Sequence, residues 1–186
     1  GSRNEEWYQP EFTFHTFRYM EIAGLKNQPN PDDIEGLAIN TVVAENNHFT
    51  SSSQLLNSIQ NASQRTFLAN LIGVQSDCPA REKFGYGGDL NATSEAFIYN
   101  FDMQSVYRKT IYDWVDAIND SVFVDTAPFV GIRYCGLSWE SAFLTTQYYL
   151  YLYYNDEDLV REMYAFNKKW MEKAARLHPE GWVDSG

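Results

Sequence analysis

Between Phe12 and Ile22 apolar side chains recur at every second position: Phe12 and Phe14, then, after one slip, Phe17, Tyr19 and Met20. Aromatic residues at period two predict a strand, and the slip predicts a bulge. Residues 24–33 hold Pro29 and Pro31 among turn formers and read as a loop. Leu37 to Ala44 is a second strand candidate. Two or three strands cannot bury their own faces. Residues 1–50 are therefore expected to be the terminal strands of a β-sandwich plus a linker, with Trp7 packed among them.

From Ser51 the period changes to that of a helix. Leu55, Ile59, Ala62 and Phe67 open an amphipathic stretch behind Ser51 to Ser53, which are capping residues. Tyr107, Ile111, Trp114, Val115 and Ile118 form one clean stripe, and Leu159, Met163, Phe166, Trp170 and Ala174 another. The latter begins on Asn155-Asp156-Glu157-Asp158, acidic where the helix dipole is positive. Trp139 to Tyr154 is apolar nearly all round, which predicts a helix buried between neighbours. A further helix is expected from Leu90 to about Asn100, with Asp89 at its N-cap. About five helices result, with long loops over residues 73–88 and 120–138. Long ordered loops in a helical domain usually carry function.

Composition narrows the function. The net charge of −11 argues against nucleic acid and anionic membrane surfaces, both of which need clustered Lys and Arg. Tyr, Phe and Trp make up 16% of the residues, which suits either a core of large rings or a sugar site lined by flat ring faces. Cys78 and Cys135 form no CxxC pair and read as free thiols. No metal site is expected, and His15, His48 and His178 give no triad or ligand pattern. No apolar run of about 18 residues is present to span a membrane. The opening Gly1-Ser2-Arg3 carries no apolar leader and reads as a cut edge. A soluble protein is expected, its compartment open between periplasm and secretion.

The chemistry-bearing stretch is Asp77-Cys78-Pro79-Ala80-Arg81-Glu82-Lys83-Phe84-Gly85-Tyr86-Gly87-Gly88-Asp89. It concentrates carboxylates, an arginine and a tyrosine among glycines that permit close backbone approach. Spacing alone leaves several readings open. Asp77 and Arg81 would form a surface salt bridge, Asp89 would serve only as a cap, the acids would bind calcium, or the loop is a working site.

The pattern Asp-Cys-Pro-x-Arg-Glu, followed by Gly-Tyr and Gly-Asp, resembles the signature of bacterial α-L-rhamnosidases, glycoside hydrolase family 78. Phe17 to Ile22, Leu55 to Leu71, Gly136 to Ala142 and Tyr149 to Asp156 resemble the flanking parts of that family, so the likeness runs over nearly the whole chain. It implies a mainly α fold: the first half of an (α/α)6 catalytic barrel over residues 51–186, preceded by the end of a β-sandwich over 1–50. It implies hydrolysis of terminal α-L-rhamnosides in glycosides or polysaccharides with inversion, and no cofactor. By position, Glu82 matches the general acid, and Asp77 and Asp89 match residues that hold rhamnose hydroxyls. Arg81 flanks the acid, Tyr86 and Trp139 match aromatic positions at the sugar, and Trp182 lines the same pocket. Some members carry one more residue before the acid; the shorter spacing here assigns it to Glu82. The family's general base lies beyond Gly186, so this stretch alone is expected to be inactive. A non-catalytic sugar-binding relative and a barrel glycosidase of different sugar specificity are the alternatives. Retention of a glutamate at the acid position favours the enzyme.

These residue types suit the reaction. Glycoside cleavage needs a proton delivered to the leaving oxygen as an oxocarbenium ion develops. Ionised aspartates accept charge-assisted bonds from sugar hydroxyls. The methyl group of a 6-deoxy sugar needs an apolar wall. Glu140, beside Trp139, and Glu95 are weaker candidates for the base. Asp125 and Pro128, in the second long loop, carry no assigned role.

Overall fold

The computed structural model describes residues 6–118, 123–132 and 135–181. Its helices are α1 (Gln54–Ala69), α2 (Gly87–Asn100), α3 (Gln104–Ala117), α4 (Leu137–Glu140), α5 (Ala142–Tyr154) and α6 (Glu157–Leu177), after a 3₁₀ turn at Pro31–Asp33. The predicted stripes become the core. Tyr107, Ile111 and Trp114 of α3 are fully buried, and Leu159, Met163 and Trp170 of α6 face the same interior. Around them pack Leu90 and Phe97 of α2 and Phe143 and Leu150 of α5.

The helix ends follow sequence chemistry. The Ser53 side chain accepts from Leu56 N at the start of α1, as the serine cluster predicts. Asp156 caps α6 by accepting from Leu159 N, and its buried carboxylate also takes the Arg108 guanidinium at 2.5 and 2.6 Å. One side chain thus closes α6 and ties it to α3. Between α5 and α6 the chain reverses at Asn155, whose φ of 54° lets its own N–H and that of Asp156 return to Tyr151 O and Leu150 O.

Three expectations are corrected. No strand forms at 12–22 or 37–44; among the described residues the N-terminal segment is irregular, and Trp7 is 83% exposed rather than packed. A strand exists only through its ladder, and among the described residues pairing here goes no further than a single bridge, Glu45 to Phe101, just past the end of the second candidate. Instead, residues 41–47 brace helix ends: Thr41 N donates to Leu71 O, Asn46 N to Asn100 O, and Asp102 N to Ala44 O. The second correction concerns α2, which begins at Gly87 rather than Leu90. Asp89 lies inside its first turn and makes no cap bond. The third concerns Trp139 to Tyr154, which breaks at Ser141 into α4 and α5 and is buried on one side only. Tyr148, Tyr151 and Leu152 remain about half exposed.

Both long loops are lashed to α3. The buried Tyr107 hydroxyl donates to Gln75 Oε1 (2.7 Å), while Gln75 Nε2 donates to Thr93 Oγ1 of α2. The Trp114 indole N–H donates to Val124 O at 2.7 Å. These bonds tie the described parts of both loops to the helical core, a condition for a site built on them.

Candidate active site

The first loop is folded on itself by Asp77. Its backbone N–H donates to Phe84 O and its Oδ1 accepts from Phe84 N, both at 3.0 Å. Inside this closed turn, Glu82 N donates to the Cys78 sulfur at 3.3 Å, and Lys83 takes the left-handed conformation at φ 61°. The Glu82 side chain is exposed, and its Oε2 accepts from the Tyr86 hydroxyl at 2.8 Å. That bond is the main reason the Tyr86 phenol is pushed up to about 12.

The second loop lies along the end of the first. Gly87 N donates to Asp125 O (2.8 Å) and Ala127 N to Gly85 O (3.0 Å), with a bridge between Tyr86 and Thr126. This two-rung ladder fixes Tyr86 and launches α2. The first turn of α2 then presses on α4. A Cβ at Gly87 would stand 2.1 Å from Trp139 O, and one at Gly88 would stand 2.4 Å from the Trp139 indole. The glycines permit the close helix approach that the sequence suggested. Gly88, Asp89, Ser138 and Trp139 line an open recess of about 450 Å³.

Of the sequence-predicted residues, Asp89 and Trp139 line this recess, while Asp77 and Glu82, on the loop before α2, lie near enough for their charge to act on Asp89. Burial is the first cause raising the Asp89 carboxyl above the usual range, and the negative charge of Asp77 is the second. Arg81 is exposed and, among the described residues, makes no ion pair with Asp77, whose carboxylate is turned to Phe84 instead. Trp182 lies outside the described residues. Glu140 is buried and accepts from the Trp170 indole N–H at 2.8 Å, which gives it a structural partner. Glu95 accepts from the hydroxyls of Tyr99 and Tyr153, away from the recess. Cys78 and Cys135 are free. Among the described residues no group of His, Cys, Asp and Glu is placed to hold a metal, and no helix is long and apolar enough to cross a membrane.

Sequence reasoning passed over Asp125. Its side chain is fully buried, and neither oxygen makes a hydrogen bond of ordinary geometry. Burial pushes its carboxyl up to about 6; the Cys135 backbone and thiol pull it partly back, and the charge of Glu140 adds to the rise. Nothing in the local sequence marks a loop aspartate as buried. The folded chain holds this proton more tightly than the unfolded one, so stability falls as pH rises from about 4 to about 6. Above that the penalty is constant, at most about 3 kcal/mol. Asp125→Asn is expected to remove that slope from thermal unfolding scans and to raise the midpoint at pH 7. An unchanged slope would place the titration elsewhere.

Comparisons with known proteins show the family. Residues 44–185 match the model of the bacterial alpha-L-rhamnosidase 6 hairpin glycosidase domain, and residues 1–40 match that of the bacterial alpha-L-rhamnosidase concanavalin-like domain. An alpha-L-rhamnosidase of Formosa agariphila is 34% identical over 88% of this chain and 18% of its own length. One of Streptomyces avermitilis is 29% identical over 96% of the chain and 18% of its own. The solved alpha-L-rhamnosidase from Dictyoglumus thermophilum superposes with a TM-score of 0.91 at 37% identity, over 96% of this chain and 20% of that one. The S. avermitilis alpha-L-rhamnosidase complexed with L-rhamnose gives 0.66 at 26% identity, over 72% of this chain and 13% of that one. The chain thus spans about a fifth of the length of the relatives it matches. With most of its helical part covered by one domain model and its fold superposing on a solved member, the chain belongs to the bacterial α-L-rhamnosidase six-hairpin glycosidase family.

Proposed function

We propose that this chain forms the acid-bearing part of an inverting α-L-rhamnosidase that removes terminal α-L-rhamnose from glycosides or polysaccharides. The observation that carries the reading is Glu82 bonded by Tyr86 on the loop that runs into α2, whose Asp89 lines a recess together with Trp139, in a chain of this family. Residues 1–50 belong to the end of the preceding sandwich domain and 51–186 to the first half of the barrel.

In this reading Tyr86 occupies one oxygen of Glu82 and leaves the other to carry the proton. The proton passes to the glycosidic oxygen as the bond to the anomeric carbon breaks. Asp77 keeps Oδ2 for a sugar hydroxyl, since Oδ1 is spent on Phe84 N. Asp89, free of capping duty, takes another hydroxyl, and both carboxylates favour the developing positive charge. The Trp139 indole faces the 6-methyl group. Arg81 meets the substrate at the exposed rim. A second carboxylate, supplied from beyond Gly186, activates water at roughly 6.5–9.5 Å from the first.

The test is a panel of aryl glycosides offered to the full-length protein. Turnover of the α-L-rhamnoside, with release of the β-anomer seen by NMR, is the expected result. Turnover of another sugar alone, or binding without turnover, overturns the reading.

A further inference from the structure

Lys83 directly follows Glu82 and stands at φ 61°, a conformation that residues with a Cβ seldom adopt. Its side chain leaves the site. The ammonium donates to Phe14 O at 2.9 Å and sits 4.0 Å from the centroid of the Phe14 ring. This clasp joins residues 69 positions apart. Phe14 belongs to the stretch matched by the concanavalin-like domain, and Lys83 to the catalytic loop of the glycosidase domain. A cation held both by a ring face and by the carbonyl of the same residue has a defined direction as well as a position.

The clasp lies where it bears on the acid. On one side of Lys83, Phe84 is fixed through both backbone groups to Asp77. On the other, Glu82 has, among the described residues, only Cys78 sulfur on its N–H and Tyr86 on its carboxylate. The Lys83 backbone is thus the hinge between a pinned residue and the proton donor, and its side chain is anchored to the N-terminal segment.

We propose that Lys83 is a positioning residue: by gripping Phe14 it holds the 82–83 peptide in its left-handed turn and aims Glu82, so that the N-terminal domain sets the efficiency of proton donation. The proposal rests on the reading of Glu82 as the acid. It adds a coupling between domains that the acid alone does not require.

The experiment compares two substrates on the full-length protein: phenyl α-L-rhamnoside, which needs protonation of its leaving group, and the 2,4-dinitrophenyl glycoside, which does not. Phe14→Ala and Lys83→Met should each lower kcat on the phenyl glycoside by about tenfold, as misplacement of a catalytic group does. Turnover of the dinitrophenyl glycoside should stay within about twofold, and KM should not move. The double variant should be no worse than either single, because one clasp is broken once. Lys83→Arg, which keeps a donor and a cation over the ring, should restore the rate. An equal loss on both substrates, or a loss of thermal stability with the substrate ratio unchanged, overturns the proposal and leaves the clasp a tether. Glu82→Gln run alongside separates the two claims. If it shows the leaving-group dependence and the clasp variants do not, the clasp proposal alone falls. If Glu82→Gln shows none, the acid assignment falls and takes the clasp with it.

Discussion

Replacing Glu82 with Gln in the full-length protein is expected to lower kcat on phenyl α-L-rhamnoside by about a thousandfold, with KM within about threefold of its original value. The amide has the shape of the carboxyl, and its oxygen still accepts the Tyr86 hydroxyl that lies 2.8 Å from Oε2. Loop geometry is therefore kept while the transferable proton is lost. Binding is expected to survive because the groups proposed to hold the sugar, Asp77, Asp89 and Trp139, are untouched. A thousandfold corresponds to about 4 kcal/mol of transition-state stabilisation, within the ordinary reach of one general acid. On a dinitrophenyl leaving group, which departs without protonation, the loss should shrink to about tenfold or less. A variant that turns over both substrates at nearly the original rate removes Glu82 from the mechanism.

The helical half of the fold was legible because its signal is periodic and local. The stripes through Tyr107-Ile111-Trp114 and Leu159-Met163-Trp170 are the same residues that the structure buries. The cap at Ser53 and the acidic start of α6 could be read from residue type alone. The strands failed for the opposite reason, since period two gives a strand its faces but not its neighbours. The start of α2 was misplaced because Gly87 and Gly88 look like loop residues. They are helical here for a tertiary reason, the close approach of Trp139. Likewise the nearly all-round apolar run from Trp139 to Tyr154 gave no clue to which side would be covered, and Tyr148 and Tyr151 stay exposed.

The site was legible as a motif and not as a geometry. Spacing placed Asp77, Glu82, Tyr86 and Asp89 in one loop, but it could not show that the Tyr86 phenol would bond Glu82. Nor could it show that Asp77 would turn from Arg81 to the Phe84 amide. The ladder between residues 85–87 and 125–127 joins segments whose pairing rests on backbone groups alone, and backbone groups leave no trace in residue identity. For that reason Asp125 drew no role from the sequence.

Gly87→Ala is expected to destabilise the domain by about 3 kcal/mol and to raise KM for the rhamnoside about tenfold. The new methyl would lie 2.1 Å from Trp139 O, 2.9 Å from its carbonyl carbon and 3.2 Å from its Cα. All three are backbone atoms, so no rotamer relieves the contact, and α2 and α4 must separate. That movement strains the Gly87 N–H bond to Asp125 O and slides the Trp139 indole off Gly88, at the wall of the recess. Stability and sugar affinity should therefore fall together. Gly73→Ala supplies the contrast. Its φ of +76° also disfavours a side chain, but nothing lies within 4 Å of the added carbon, so only backbone strain of about 1 kcal/mol is expected and KM should not change. Thermal unfolding and rhamnoside kinetics on the two variants separate collision from strain. If Gly87→Ala proves as mild as Gly73→Ala, the contact between α2 and α4 does not place Trp139, and the wall of the recess owes its position to something else.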